Sequence, residues 1–137
     1  MDRYDLVIRD IQEQTRDGAL RWKSVSPSKY QNLSFRAGRV IRAYRTDYTL
    51  GEQEYELVFL DQRVSRFDEE AGWANEKRAF EVLILGTDGE IVLRLYEGAV
   101  DGDDLSRLAG LIETRDDRVT GFFSAFERAR GIGSSGD

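Results

Sequence analysis

The spacing of apolar residues changes twice along this 137-residue chain, and those changes constrain its fold more than any other feature. Near the N-terminus apolar residues recur every three or four positions, which predicts a helix over residues 2–17 that ends at Gly18. From residue 19 to residue 96 the period falls to two, as in half-buried strands. After Asp101 the helical spacing returns.

Turn residues divide the central region into five or six predicted strands. The four residues Gly86-Thr-Asp-Gly89 are typical of a tight hairpin, and Gly38 allows a second one. Residues 63–77 are predicted to be a polar excursion outside the sheet. The predicted strands are 19–25, Tyr30–Arg36, Arg39–Thr46, Glu54–Asp61, Ala79–Leu85 and Glu90–Tyr96.

Two helices are predicted after the sheet. Asp103 or Asp104 is expected to cap the first, whose apolar stripe is Leu105, Leu108, Leu111 and Ile112. The second carries Val119, Phe122, Phe123 and Phe126. We therefore expect residues 1–130 to form a single α+β domain, with an N-terminal helix, an antiparallel meander of five or six strands, and one or two C-terminal helices packed on one face. Residues 131–137 are predicted to be a flexible tail.

The absence of cysteine and histidine limits the chemistry open to the chain. It excludes disulfides, thiolate nucleophiles, cysteine-ligated zinc and histidine-dependent triads. The aspartates at 101, 103 and 104 do not fit a calcium loop, because positions five and twelve of that frame are leucine and isoleucine. We therefore expect no catalytic residues, no metal and no cofactor.

Charge is unevenly distributed along the chain, whose formal net charge is −6. Residues 21–45 carry seven basic and no acidic side chains, and residues 46–104 carry five basic and sixteen acidic ones. Two interpretations remain open. The arginines pair with Glu52, Glu54 and Glu56 across neighbouring strands, or the fold has one basic face.

The candidate binding surface follows from the basic segment. On a regular strand, three-residue spacing alternates faces, so Arg36 and Arg42 would share one face and Arg39 and Arg45 the other. Neighbouring tyrosines would suit base stacking, and Trp73 is either tucked beneath its loop or an interface anchor. The candidate residues are Arg36, Arg39, Arg42, Arg45, Tyr44, Tyr48 and Trp73.

The segment Thr15-Arg-Asp-Gly-Ala-Leu-Arg-Trp22 carries a resemblance. It is similar to a pattern in small bacterial and phage-borne proteins, in which an N-terminal helix ends in T-x-x-G-x-L-x-W and runs into an antiparallel sheet. The resemblance implies an accessory protein from a mobile-element or defence context and carries no activity with it.

These observations predict a non-enzymatic accessory or regulatory module that binds a protein partner or a second copy of itself. The alternative is nucleic-acid or nucleotide binding through the strand Arg36–Arg45. The charged N-terminus lacks the apolar core of a signal peptide, and no run is long enough to span a bilayer. We therefore expect a cytoplasmic protein with no membrane association.

Overall fold

A computed structural model describes residues 2–33, 38–68, 73–115 and 117–131, without the side chains of 66–68, 73–75 and 117–119. Its single antiparallel sheet has the order β1-β2-β3-β4-β5, which confirms the predicted α+β class. None of the described helices is both long and apolar enough to cross a membrane. The elements are α1 (Arg3–Arg16), β1 (Lys23–Val25), a 3-10 helix (Pro27–Leu33), β2 (Arg39–Leu50), β3 (Gln53–Asp68), β4 (Trp73–Leu85), β5 (Ile91–Tyr96), α2 (Gly102–Thr114) and α3 (Asp117–Arg130).

Side-chain caps define where the helices begin. The Asp2 carboxylate accepts a hydrogen bond from the backbone N–H of Tyr4 at 3.0 Å, which fixes the start of α1. Helix α2 is capped by Asp101 and not by the predicted Asp103 or Asp104. Asp101 accepts from the Asp103 N–H at 2.9 Å. Both predicted residues lie instead in the first turn of α2, where negative charge is favoured.

The T-x-x-G-x-L-x-W segment joins α1 to the sheet. Gly18 ends the helix with a φ of +83°, a conformation that side-chain-bearing residues rarely adopt. The Thr15 hydroxyl donates to the Ile11 carbonyl at 2.7 Å and accepts from the Trp22 indole N–H at 3.0 Å. Leu20 is buried. The segment is therefore a helix stop whose two inward-facing residues anchor the chain to the core.

The two faces of the sheet carry separate cores. Helices α1 and α2 pack on one face, where Phe59 and Leu108 are among the buried residues. The 3-10 helix covers the other face with Tyr30 and packs over Val58 and Leu83. This arrangement corrects the predicted strand Tyr30–Arg36: residues 30–33 belong to the 3-10 helix that begins at Pro27, and residues 34–36 lie outside the described part.

A buried ion pair lies on the face of the sheet that the 3-10 helix covers. Glu81 is 1% exposed, and its carboxylate accepts from Arg94 at 3.1 Å and from the Gln62 amide at 3.2 Å. The Arg94 guanidinium also donates to the Leu33 carbonyl at 2.5 Å. Because this arginine contacts both the sheet and the end of the 3-10 helix, it holds the two together.

The segment 63–77, predicted to be a polar excursion, is largely part of the sheet. Strands β3 and β4 pair continuously from Glu56↔Leu85 to Asp68↔Trp73 and form one long hairpin. The outer half of this hairpin extends beyond the strand pairs that involve β5. A strand there can be mostly polar, without the alternation of apolar residues that marks a half-buried strand. Trp73 is therefore the first residue of β4 and not a loop residue.

Candidate functional site

The predicted arginine series is divided between the two faces of the sheet. A register shift between Val40 and Arg42 places Arg39 opposite Arg63 and Arg42 opposite Asp61, so Arg39 and Arg42 share the face on which the helices pack. The expected alternation of these two is therefore wrong, because it assumed a regular strand. Arg45 lies on the other face, opposite Val58. Arg36 lies outside the described residues.

The three described arginines of the series also differ in their partners. Arg45 donates to Glu56 at 3.0 Å and to Asp47 at 3.0 Å, and the hydrogen bond that Glu56 accepts raises the pKa of the Arg45 guanidinium. Arg39 lies 3.7 Å from Glu76 on an exposed surface. Arg42 is exposed and has no ion pair within the described ranges. Of the three glutamates predicted as partners, only Glu56 forms an ion pair in the described part of the chain.

The two tyrosines predicted to stack on bases are not available to a ligand. Tyr44 and Tyr48 are each 3% exposed and belong to the core beneath the helices. The Tyr48 hydroxyl donates a short hydrogen bond to Asp10, and burial, together with this bond, raises the pKa of the phenol. The side chain of Trp73 lies outside the described part. The predicted binding strand therefore does not expose Tyr44 or Tyr48 beside its arginines.

Two arginines from other strands join Arg39 and Arg42. Arg63 of β3 lies opposite Arg39, and Arg78 of β4 lies opposite Arg63, so three arginines form a row across three strands. We call Arg39, Arg42, Arg63 and Arg78 the arginine cluster. Sequence reasoning missed the last two because it followed one strand, and strand register cannot be read from arginine spacing.

Asp61 lies at the centre of the arginine cluster and orients two of its members. Its side chain is 3% exposed and accepts from Arg63 at 2.8 Å and from Arg78 at 2.9 Å. Arg78 donates further to Glu113 of α2 at 2.6 Å. The hydrogen bond to Asp61 is the main cause of the raised pKa of Arg78. This buried carboxylate thus fixes the position of guanidinium groups that remain partly open to solvent.

Helix α3 carries three of the exposed large apolar side chains in the described part of the chain. Phe122, Phe123 and Phe126 are 63%, 56% and 43% exposed. Every residue from Thr120 to Arg130 is exposed, and the principal contact of α3 is with α2. The rings contact one another, with centroid distances of 5.7 Å for Phe122–Phe123 and 6.4 Å for Phe122–Phe126. The result is one continuous aromatic face on the outside of the domain.

The sequence of α3 by itself gives little helix stability while its aromatic face is in water. It has 14 residues, a length at which an isolated helix is marginal. Gly121 in its interior costs about 1 kcal/mol relative to alanine. Large aromatic residues add less helix propensity than straight-chain ones. A second surface that buries the three rings would supply the missing stabilisation.

No group of three or more acidic side chains is placed to hold a metal ion in the part of the chain that the structure describes. Comparison of the whole chain with models of known protein families, with curated protein sequences and with solved structures finds no match.

Proposed function

We propose that this protein is a non-enzymatic interaction module that docks through α3 into an apolar groove of another protein. The observation that carries the proposal is the exposure of Phe122, Phe123 and Phe126 on one side of a helix that the rest of the domain leaves uncovered. Amphipathic helices that bind in grooves use anchors at spacings of three, four and seven residues. Phe122 and Phe126 are four residues apart, and Phe123 and Phe126 are three apart, so both pairs with Phe126 have this spacing.

The size of the aromatic face favours a groove over a second copy of α3. At roughly 200 Å² for a phenylalanine side chain, the exposed fractions leave about 300 Å² of ring surface in water. A stable interface buries about 800 Å² on each partner. Two short helices packed side by side bury only one stripe of each helix. A groove also covers the flanks of the helix and comes closer to the required area.

The charges on α3 indicate what should surround the groove. The described residues Thr120–Arg130 contain one acidic side chain, Glu127, and two basic ones, Arg128 and Arg130, in a chain with a net charge of −6. The Arg130 guanidinium lies 5.8 Å from the Phe126 ring centroid. We therefore expect acidic side chains on the partner where it meets the C-terminal end of α3.

A pair of matched substitutions tests this proposal. Phe122→Asp alters the docking face, and Val92→Asp places the same charge at a comparably exposed apolar position on β5, where Val92 is 58% exposed. We expect the wild type and Val92→Asp to retain the same protein from native lysate and to bind it with equal affinity once it is purified. Phe122→Asp should weaken that binding by about thirtyfold or more, as for a buried aromatic anchor.

Two outcomes would contradict the docking proposal. One is equal binding by Phe122→Asp and the wild type. The other is a concentration-dependent dimer in light scattering that Phe122→Asp abolishes, since this result would assign the face to a second copy. Thermal unfolding of both variants should resemble that of the wild type, because the substituted side chains are exposed.

A further inference from the structure

We propose that the arginine cluster is a binding site for phosphoryl groups, presented by a single-stranded nucleic acid that lies across the outer half of β2, β3 and β4. This site is separate from α3, and the inference does not depend on the proposed docking function.

The row formed by Arg39, Arg63 and Arg78 places like charges directly opposite one another on neighbouring strands. Like charges at such positions are destabilising. Asp61 offsets part of this repulsion through its contacts with Arg63 and Arg78. Glu113 offsets a further part at Arg78, and Glu76 does so at Arg39, at 3.7 Å. A negatively charged ligand would complete the compensation. Such a juxtaposition of guanidinium groups is a feature of anion-binding surfaces.

Arg42 is the member of the arginine cluster that is open to a ligand. It lies opposite Asp61 but is exposed and has no ion pair within the described part of the chain. The register shift between Val40 and Arg42 brings it onto the same face as the row. Bulges of this kind occur next to functional sites, where they re-aim a side chain. Gly38 permits the close approach of β2 to β3 here, because a Cβ at this position would lie 2.9 Å from the Arg63 carbonyl oxygen.

The shape of the site favours an extended ligand. Neighbouring strands lie about 4.8 Å apart, so the row of three arginines spans about 10 Å across the sheet. Arg39 is 69% exposed at one end of the row, and Arg78 is 43% exposed at the other. A polymer with regularly spaced phosphates can contact both ends at once, whereas a single phosphate cannot. With Tyr44 and Tyr48 buried, we expect the contacts to be with the backbone and to show little base preference.

Two arginines of the same strand supply a matched test. Arg42→Gln removes a charge from the arginine cluster, and Arg45→Gln removes an equal charge from the opposite face. Binding of labelled oligothymidylate is measured by fluorescence anisotropy at low salt. We expect Arg42→Gln to weaken binding by about tenfold or more and Arg45→Gln to change it less than about twofold. With about three phosphate contacts, a plot of the logarithm of the wild-type binding constant against the logarithm of the salt concentration should have a slope of about −2.

Competing ligands complete the test. If thymidine monophosphate at equal phosphate concentration displaces the oligonucleotide, the arginine cluster is still a phosphoryl-binding site, but its ligand is a free nucleotide. Equal displacement by polyglutamate would overturn the nucleic-acid assignment in favour of an acidic protein segment. The proposal also fails if no oligonucleotide binds, or if Arg42→Gln and Arg45→Gln have the same effect. It fails as well if binding depends on Arg21, which lines a separate cleft of about 420 Å³ with Lys23 and Arg115.

Discussion

Replacement of Arg94 by methionine should destabilise the domain more than replacement of any exposed arginine. Arg94 connects the buried carboxylate of Glu81 to the Leu33 carbonyl, at 3.1 Å and 2.5 Å. The Glu81 side chain is 2% exposed, and that of Arg94 is 29% exposed. Methionine keeps the apolar stem of the arginine but removes the charge and both hydrogen bonds.

The expected loss follows from the burial of this pair. Removing one partner of a buried ion pair costs about 3–5 kcal/mol, because the remaining charge stays in a poorly solvated position. The partial exposure of Arg94 lets water reach part of its site, so we expect a value near the lower end, about 3 kcal/mol. Removing the carboxylate charge as well, with Glu81→Gln in the same chain, should restore part of this loss.

Urea unfolding followed by tryptophan fluorescence measures the effect. Arg16→Met is the control, because the side chains of Arg16 and Asp17 are 62% and 72% exposed and lie 4.0 Å apart. A surface pair of this kind contributes less than about 1 kcal/mol. The reasoning is refuted if the Arg94 and Arg16 variants lose the same small amount of unfolding free energy, or if the Glu81→Gln change adds to the loss.

Three further predictions concern the backbone, pH and the exposed helix. Gly38→Ala should lower the unfolding free energy by about 1–3 kcal/mol in urea titrations, because its Cβ would meet the Arg63 carbonyl oxygen at 2.9 Å. The pKa of Tyr48 is higher in the folded chain than in the unfolded chain, so folding is favoured by the neutral phenol. This contribution to stability is complete below pH about 10 and is lost progressively as the pH rises above that value. Tyr48→Phe should therefore reduce the fall in stability measured between neutral and alkaline pH. Phe122→Ala should change the thermal midpoint of the isolated protein little, since its ring is 63% exposed.

The sequence predicts secondary structure correctly where contact with the core sets the spacing of apolar residues. The hairpin at Gly86-Thr-Asp-Gly89 and the helix that ends at Gly18 follow from turn chemistry and apolar spacing, and both lie where predicted. The outer half of the β3–β4 hairpin was missed because it lacks the apolar alternation of a half-buried strand. The sequence around Tyr30 does not distinguish a strand from a 3-10 helix, because a single buried aromatic residue fits either one.

The candidate sites depend on tertiary information that the sequence does not contain. The spacing of Arg39 and Arg42 indicates opposite faces unless the register shift between Val40 and Arg42 is known. Arg63 and Arg78 join them only through the pairing of three strands. The phenylalanines of α3 have the spacing of a core-facing stripe, and only the position of α3 outside the domain shows that their rings are exposed.

Site-specific photo-crosslinking in cells tests the docking function most directly. A photoreactive residue is placed at position 122, on the aromatic face, or at position 124, about 200° away around the same helix. Both positions are exposed, so each variant should fold. The proposal predicts one discrete adduct with a different protein from position 122 and none from position 124. Equal labelling from both positions, no adduct from position 122, or an adduct with a second copy of the chain would contradict it.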